Sequence, residues 1–171
     1  MDTFERETHG RYLEEFEIGE VIHHWPGRTI TSWENQQFTL LTGNSSSGHL
    51  DVIDAQEHGH RDMLVNGGYI VALVHGLSTR MLSSSPKAVV FVGMTDVRIM
   101  KPTYPGDTVR VFSKVLDKRE SASKSDRGIV TVETWGMNQR GERIVEFKRV
   151  IMVWRQGHGP GTQQPVFGPE Q

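Results

Sequence analysis

Between Gly67 and Leu82 the apolar residues Ile70, Val71, Leu73, Val74, Leu77, Met81 and Leu82 recur at intervals of three and four, with few large polar groups between them. A helix with so broad an apolar surface must be covered on most of its sides. The remainder of the chain, toward the C-terminus, contains no second helix of that kind. After a break at Ser83 to Pro86, the stretches Ala88 to Met94, Asp96 to Lys101, Thr108 to Glu120, Gly128 to Asn138 and Arg143 to Trp154 all read as strands. Pro102 to Gly106, Ser121 to Arg127 and Asn138 to Gly141 supply the turns between them. Strands after one long buried helix predict an antiparallel sheet wrapped around that helix, an α+β arrangement.

Upstream the pattern is shorter-ranged. Tyr12 to Gly27 reads as a loop leading into a short strand, closed by Pro26 and Gly27. Thr31 or Ser32, with Glu34 shortly after, marks the start of a short helix that ends near Gly43. Residues 44–63 are polar and irregular, a long connection for a compact domain and therefore a candidate functional loop. The expected division is an extension at 1–11, one domain at 12–156 and a frayed tail at 157–171.

Composition removes several classes. A chain of 171 residues with 36% hydrophobic and 23% charged residues and a net charge of −2 lacks the basic excess that would favour nucleic acid or an anionic membrane. With no cysteine, disulfides, thiolate metal sites and a cysteine nucleophile are excluded. The opening residues are acidic without an apolar core, and no apolar run approaches the ~18 residues of a membrane span. A cytoplasmic protein is expected.

The chemistry-bearing residues cluster between Thr42 and Gly67. Asn44, Ser46, His49 and Asp51 form a polar segment, and Asn66, Gly67 and Gly68 open the apolar helix, whose free N–H groups suit an anionic oxygen. Acid/base groups near such a helix end suit chemistry on a carbonyl. His49 is equally compatible with a solvated turn, Asn44 with helix capping, and Gly67 with close packing under a sheet. His58 and His60, near Asp54, Glu57 and Asp62, invite a metal reading, which is weaker because a catalytic metal needs about three convergent ligands. No metal and no cofactor are expected.

The segments TGNSSSGHLD, VNGGYIVALVHGL, VRIMKPTYPGDTVR and MNQRGERIVEFKRVIMV together resemble the MaoC-like (R)-specific enoyl-CoA hydratase/dehydratase family, in wording most like its mesaconyl- and itaconyl-CoA hydratase subgroup. The resemblance covers roughly residues 12–155 and implies a hotdog fold, water addition to a 2-enoyl thioester on coenzyme A or a carrier protein, and a homodimer or dimer of dimers. The family motif has an aspartate and, five residues later, a histidine, with asparagine and proline between. Here the matching positions hold Asn44, Ser46, Ser47 and His49. The resemblance therefore assigns general acid/base work to His49, water or substrate orientation to Asn44, and the oxyanion-binding N–H to Gly67. Ser46, Asp51, Asn66 and Gly68 are the expected substrate contacts. Asn44 cannot accept a proton at neutral pH, so a carboxylate from Asp51, Asp54, Glu57 or Glu34 is a candidate replacement. A hotdog thioesterase, or a degenerate subunit that binds acyl-CoA without turnover, are the alternatives.

Overall fold

In a computed structural model the described residues are 9–160; residues 1–8 and 161–171 lie outside them, and with them most of the expected extension and tail. The elements are β1 (Val21–Thr29), α1 (Ser32–Leu41), α2 (Val52–Glu57), α3 (Gly67–Leu82), β2 (Ala88–Ile99), β3 (Thr108–Glu120), β4 (Arg127–Met137) and β5 (Arg143–Trp154). The five strands form one antiparallel sheet in the order β1-β3-β4-β5-β2. Helix α3 touches every strand, so the sheet wraps around it in the expected α+β hotdog arrangement. No helix among the described residues is long and apolar enough to cross a membrane.

The wrapping arises where two periods meet. On β3, β4 and β5 alternate residues are buried, so Val109, Val111, Val145 and Phe147 face Ile70, Leu73 and Val74 of α3. A second cluster, around Phe16, Val115, Val130, Ile151 and Val153, receives Leu82 at the far end of the helix. Contact is close at Gly136, where an added Cβ would lie 2.7 Å from Val74 Cγ2. Glycine there lets the helix approach the sheet.

The two strands expected at 88–101 are one. Asp96 has φ 53°, and the ladder to β5 shifts register between Thr95 and Arg98 before pairing resumes. The polar Thr95–Asp96 pair is thus a bulge inside a continuous strand. Residues 44–63 also differ from the expected irregular loop: they contain a 3-10 turn at Ser47–His49 and the six-residue α2.

The core carries an unusual polar set. Arg149, at 0% exposure, has no hydrogen-bond partner for its guanidinium among the described residues, and burial lowers its pKa to about 10. His24 Nε2 lies 3.0 Å from Ser113 Oγ, which in turn lies 2.8 Å from Thr134 Oγ1. Burial, reinforced by the charge of Arg149, lowers the His24 pKa to about 4, so the imidazole is neutral in the native state. Its folded pKa lies below the unfolded value of about 6.5, so the stability it confers is complete above pH ~6.5 and is lost as pH falls toward 4. We expect urea-unfolding free energy to drop by about 3 kcal/mol across that window. A His24→Gln variant should lack that slope, and an equal slope in both proteins would refute the assignment.

Among the described residues β2 and α1 each leave apolar side chains exposed. The outer strand β2 exposes Val90, Phe91, Val92, Val97 and Ile99, and its free edge has no partner strand among the described residues. Helix α1 is inverted: Asn35 and Thr39 are buried while Trp33 and Leu41 are 65% and 82% exposed.

Candidate active site

Local signals fix where α1 begins and ends. Thr31 Oγ1 accepts the Glu34 N–H and Glu34 returns a bond to the Thr31 N–H, a capping box further held by an Arg28–Glu34 ion pair. At the other end Gly43, with φ 66°, donates to Leu40 O at 3.1 Å while Asn44 N–H donates to Thr39 O at 3.1 Å, the paired bonds of a Schellman motif. Asn44 is therefore the second residue past the cap. Its Oδ1 accepts the Ser46 N–H at 2.9 Å.

The inward face of α1 organises the segment beyond it. Asn35 Nδ2 donates to His49 O at 3.0 Å and to Leu64 O at 3.1 Å, and its Oδ1 accepts the Asn66 N–H at 2.8 Å. One buried amide thus ties the 3-10 turn, the end of the 44–63 segment and the start of α3. The Leu64 N–H also donates to Gly48 O at 2.9 Å, closing the base of the excursion between them.

His49 is oriented by the same closure. Its Nδ1 lies 3.0 Å from Leu64 O, and a carbonyl only accepts, so Nδ1 carries the hydrogen and the neutral ring presents Nε2 as a lone pair. Asn66 caps α3, its Oδ1 accepting the Gly68 N–H at 2.9 Å. The Gly67 N–H has no acceptor among the described residues and sits at the positive end of a 16-residue helix.

These groups meet in one cavity of about 330 Å³ lined by His49, His60, Leu64, Val65, Gly67, Ile70 and the segment Ile99–Thr103. Of the expected residues, His49 and Gly67 come together there. Asn44, Ser46, Asp51, Asn66 and Gly68 do not line it. Asp51 instead caps α2 through the N–H groups of Ile53 and Asp54. Asp54 accepts from Ser47 Oγ at 2.8 Å, and Glu34 is committed to its capping box. None of the four candidate carboxylates lines the cavity. Nor do the aromatic residues Trp25, Trp33, Phe38, Tyr69 or Phe91.

Helix α2 repeats the ending of α1. Gly59, with φ 84°, donates to Gln56 O and His60 N–H donates to Ala55 O at 3.0 Å, which turns His60 back toward the cavity. His58 contacts its own helix at Asp54 O, so the two histidines diverge. Among the described residues no group of three or more His, Asp or Glu is placed to hold a metal ion.

A second cavity of about 340 Å³ adjoins the first and shares Lys101 and Pro102 with it. Arg61, Tyr104, Arg140 and Glu142 complete its lining. Arg61 lies over the Tyr104 ring at 4.5 Å, and both arginines reach buried Asp107. Burial works to raise the Asp107 pKa, but hydrogen bonds from Arg140, the Tyr104 N–H and Gln139 outweigh it and hold the carboxyl below its ordinary value. The carboxylate anchors the turn that carries Lys101–Thr103.

Comparison with known proteins decides the family. The model of the mesaconyl-CoA hydratase family matches residues 1–162. The chain belongs to the mesaconyl-CoA hydratase family. Its relatives include a mesaconyl-CoA hydratase of Haloarcula hispanica, 31% identical over 156 residues, which span 91% of this chain and 43% of the relative. A β-methylmalyl-CoA dehydratase of Chloroflexus aurantiacus is 29% identical over 74% of this chain and 35% of its own length. This member of the mesaconyl-CoA hydratase family thus spans less than half the length of those curated relatives. Among solved structures, a MaoC domain protein of Chloroflexus aurantiacus superposes with TM-score 0.81 at 28% identity, covering 94% of this chain and 46% of that one. A Mycobacterium tuberculosis protein with a double hotdog fold shares the fold at TM-score 0.76 and 17% identity, covering 92% of this chain and 49% of its own.

Proposed function

We propose that the chain is an acyl-thioester hydratase/dehydratase that adds water to, or removes it from, a 2-enoyl-CoA whose acyl group is branched or dicarboxylic. The observation that carries this reading is the meeting of the His49 imidazole and the Gly67 N–H in one cavity. Water addition needs a base for the water attacking C3 and a donor for the thioester oxygen, which gains charge as C2 becomes enolate-like. His49 Nε2 fits the first role. Gly67 N–H, at the helix end, fits the second. Asn44, which the resemblance assigned to orienting water, lies in the turn before His49, where its amide supports the backbone around that histidine.

The choice of carrier rests on the adjoining cavity. Lys101, Arg61 and Arg140 offer cationic donors where a thioester's nucleotide portion would emerge, which favours coenzyme A. The kinship with mesaconyl-CoA and β-methylmalyl-CoA enzymes favours a short branched or dicarboxylic acyl group. A second hotdog unit, in a homodimer or dimer of dimers, is part of the reading: the free β2 edge borders the cavity at Ile99 and Met100, and the curated relatives have more than twice the matched length. The cytoplasmic setting expected above goes with it.

The test monitors ultraviolet absorbance of the conjugated thioester with crotonyl-, mesaconyl-, itaconyl- and longer enoyl-CoAs, with free thiol assayed in parallel. We expect conjugation to be lost without thiol release, fastest on a branched or dicarboxylic acyl group. Thiol release would replace the reading with a thioesterase, and binding without either change would replace it with a non-catalytic subunit.

A further inference from the structure

Hydration moves two protons, one off the water that attacks C3 and one onto C2, and His49 serves one of these transfers at a time. Among the described residues no carboxylate lines the cavity to complete the pair: Asn44 stands in its motif position, and Asp51, Asp54, Glu57 and Glu34 all lie outside the lining. His60 lies inside it.

Resting on the hydratase reading, we propose that His60 is the second proton-transfer group of this site, a catalytic residue paired with His49 across the cavity that both line. Three features of the structure support it. The His60 backbone is pinned by its N–H to Ala55 O at the end of α2, so the ring does not depend on a free loop for its place. Its Nδ1 lies 3.3 Å from the Tyr104 hydroxyl, which directs the ring's other nitrogen to a different partner. A hydroxyl both donates and accepts, whereas the Leu64 carbonyl beside His49 only accepts. The two histidines are therefore not equivalent. His49 is held with a lone pair on Nε2, while His60 can carry its hydrogen on Nε2 when Tyr104 donates to Nδ1.

The division of labour is then set, with atoms balanced. Water oxygen bonds to C3 as His49 Nε2 takes one of its protons. The π electrons move toward C2 and the thioester oxygen, where Gly67 N–H holds the charge. His60 Nε2–H then delivers a proton to C2, and exchange with solvent returns the proton from His49 to His60. Dehydration runs the same steps backward. The titratable and charged groups around His60 are His49 and Lys101, which line the same cavity, Tyr104 at its Nδ1, and Arg61 stacked on the Tyr104 ring. Lys101 and Arg61 make that side of the cavity cationic.

The experiment compares wild-type enzyme with His60→Gln, His60→Ala and Tyr104→Phe on the best enoyl-CoA of the panel. We expect His60→Gln to lower kcat by about a hundredfold with KM within about threefold. The alkaline limb of the kcat–pH profile, where a proton donor is lost, should disappear with it. Added imidazole should restore part of the His60→Ala rate, and Tyr104→Phe should lower kcat by about tenfold or less. Circular dichroism and melting temperature should match wild type for His60→Gln. A wild-type kcat and pH profile in that variant would overturn the proposal, as would a rise confined to KM, which would make His60 a binding group. If wild-type enzyme hydrates no enoyl-CoA, the hydratase reading fails first and this one with it.

Discussion

Turnover of the His49→Ala enzyme is expected to fall by two to four orders of magnitude, the range for losing a positioned general base, while the fold persists. The second half of that expectation rests on how the residue is held. Among the described residues the His49 side chain makes one hydrogen bond, to Leu64 O, whereas its backbone carbonyl is kept by Asn35. Alanine removes the imidazole and leaves the chain path tied. Stopped-flow decay of the enoyl absorbance, with circular dichroism on the same samples, measures both. A rate within threefold of wild type would remove His49 from the mechanism.

Asn35→Ala should act through stability. It strands the His49 carbonyl and the Asn66 N–H in a largely buried region, each a group whose lost partner costs about 1–3 kcal/mol, and leaves the Leu64 carbonyl with the His49 ring alone. A loss of about 3–5 kcal/mol is expected in denaturant unfolding, and in whatever fraction folds, kcat should fall because both His49 and the start of α3 are released together. Asn35→Asp is the sharper comparison. It still accepts from Asn66 but turns a charged oxygen toward two carbonyls, so it should be no more stable than alanine. If either variant melts within about 2 °C of wild type, the amide does not organise the site.

How far the sequence foretold this arrangement depended on how many residues shared each signal. Helix α3 was legible because seven apolar side chains repeat one period, and β3 to β5 because long strands lie between plain turns. Thr31 and Glu34 marked the start of α1 two elements before any packing is considered. The division of β2 into two strands failed because Thr95–Asp96 is polar and resembles a turn, whereas pairing with Lys148 and Glu146 carries the ladder through it. Helix α2 is hidden because six residues give too short a window for periodicity, and its cap, Asp51, reads in sequence as a substrate contact.

Of the candidate site, the sequence named two of the residues that line the cavity. His49 and Gly67 could be named because each has a chemical reason to stand where it does, but the partner that positions His49 could not. Asn35 sits on a helix that exposes Trp33, Leu40 and Leu41, so the usual rule that polar side chains face solvent gave it no weight. One trace of it was present: Asn35 and Thr39 fall four apart, on one face, and both are buried. A polar pair at helical spacing on a helix with exposed tryptophan and leucine is the pattern to look for. In sequence His60 invites only a weak metal reading and none as a proton donor, since its approach to the cavity depends on the bend after α2.

The closure at Gly48, His49 and Leu64 also makes the intervening stretch separable from its frame. Hydrogen bonds from Leu64 N–H to Gly48 O, from His49 Nδ1 to Leu64 O and from Asn35 Nδ2 to His49 O and Leu64 O staple its two ends. Residues 50–63 are thus a cassette: exchanged for the corresponding piece of a sibling enzyme, they would carry α2 and His60 away and bring another wall to the cavity, while the frame kept His49 in register. Such an exchange would replace His60 together with that wall, so on the proposed mechanism it tests the proton donor and the pocket at once.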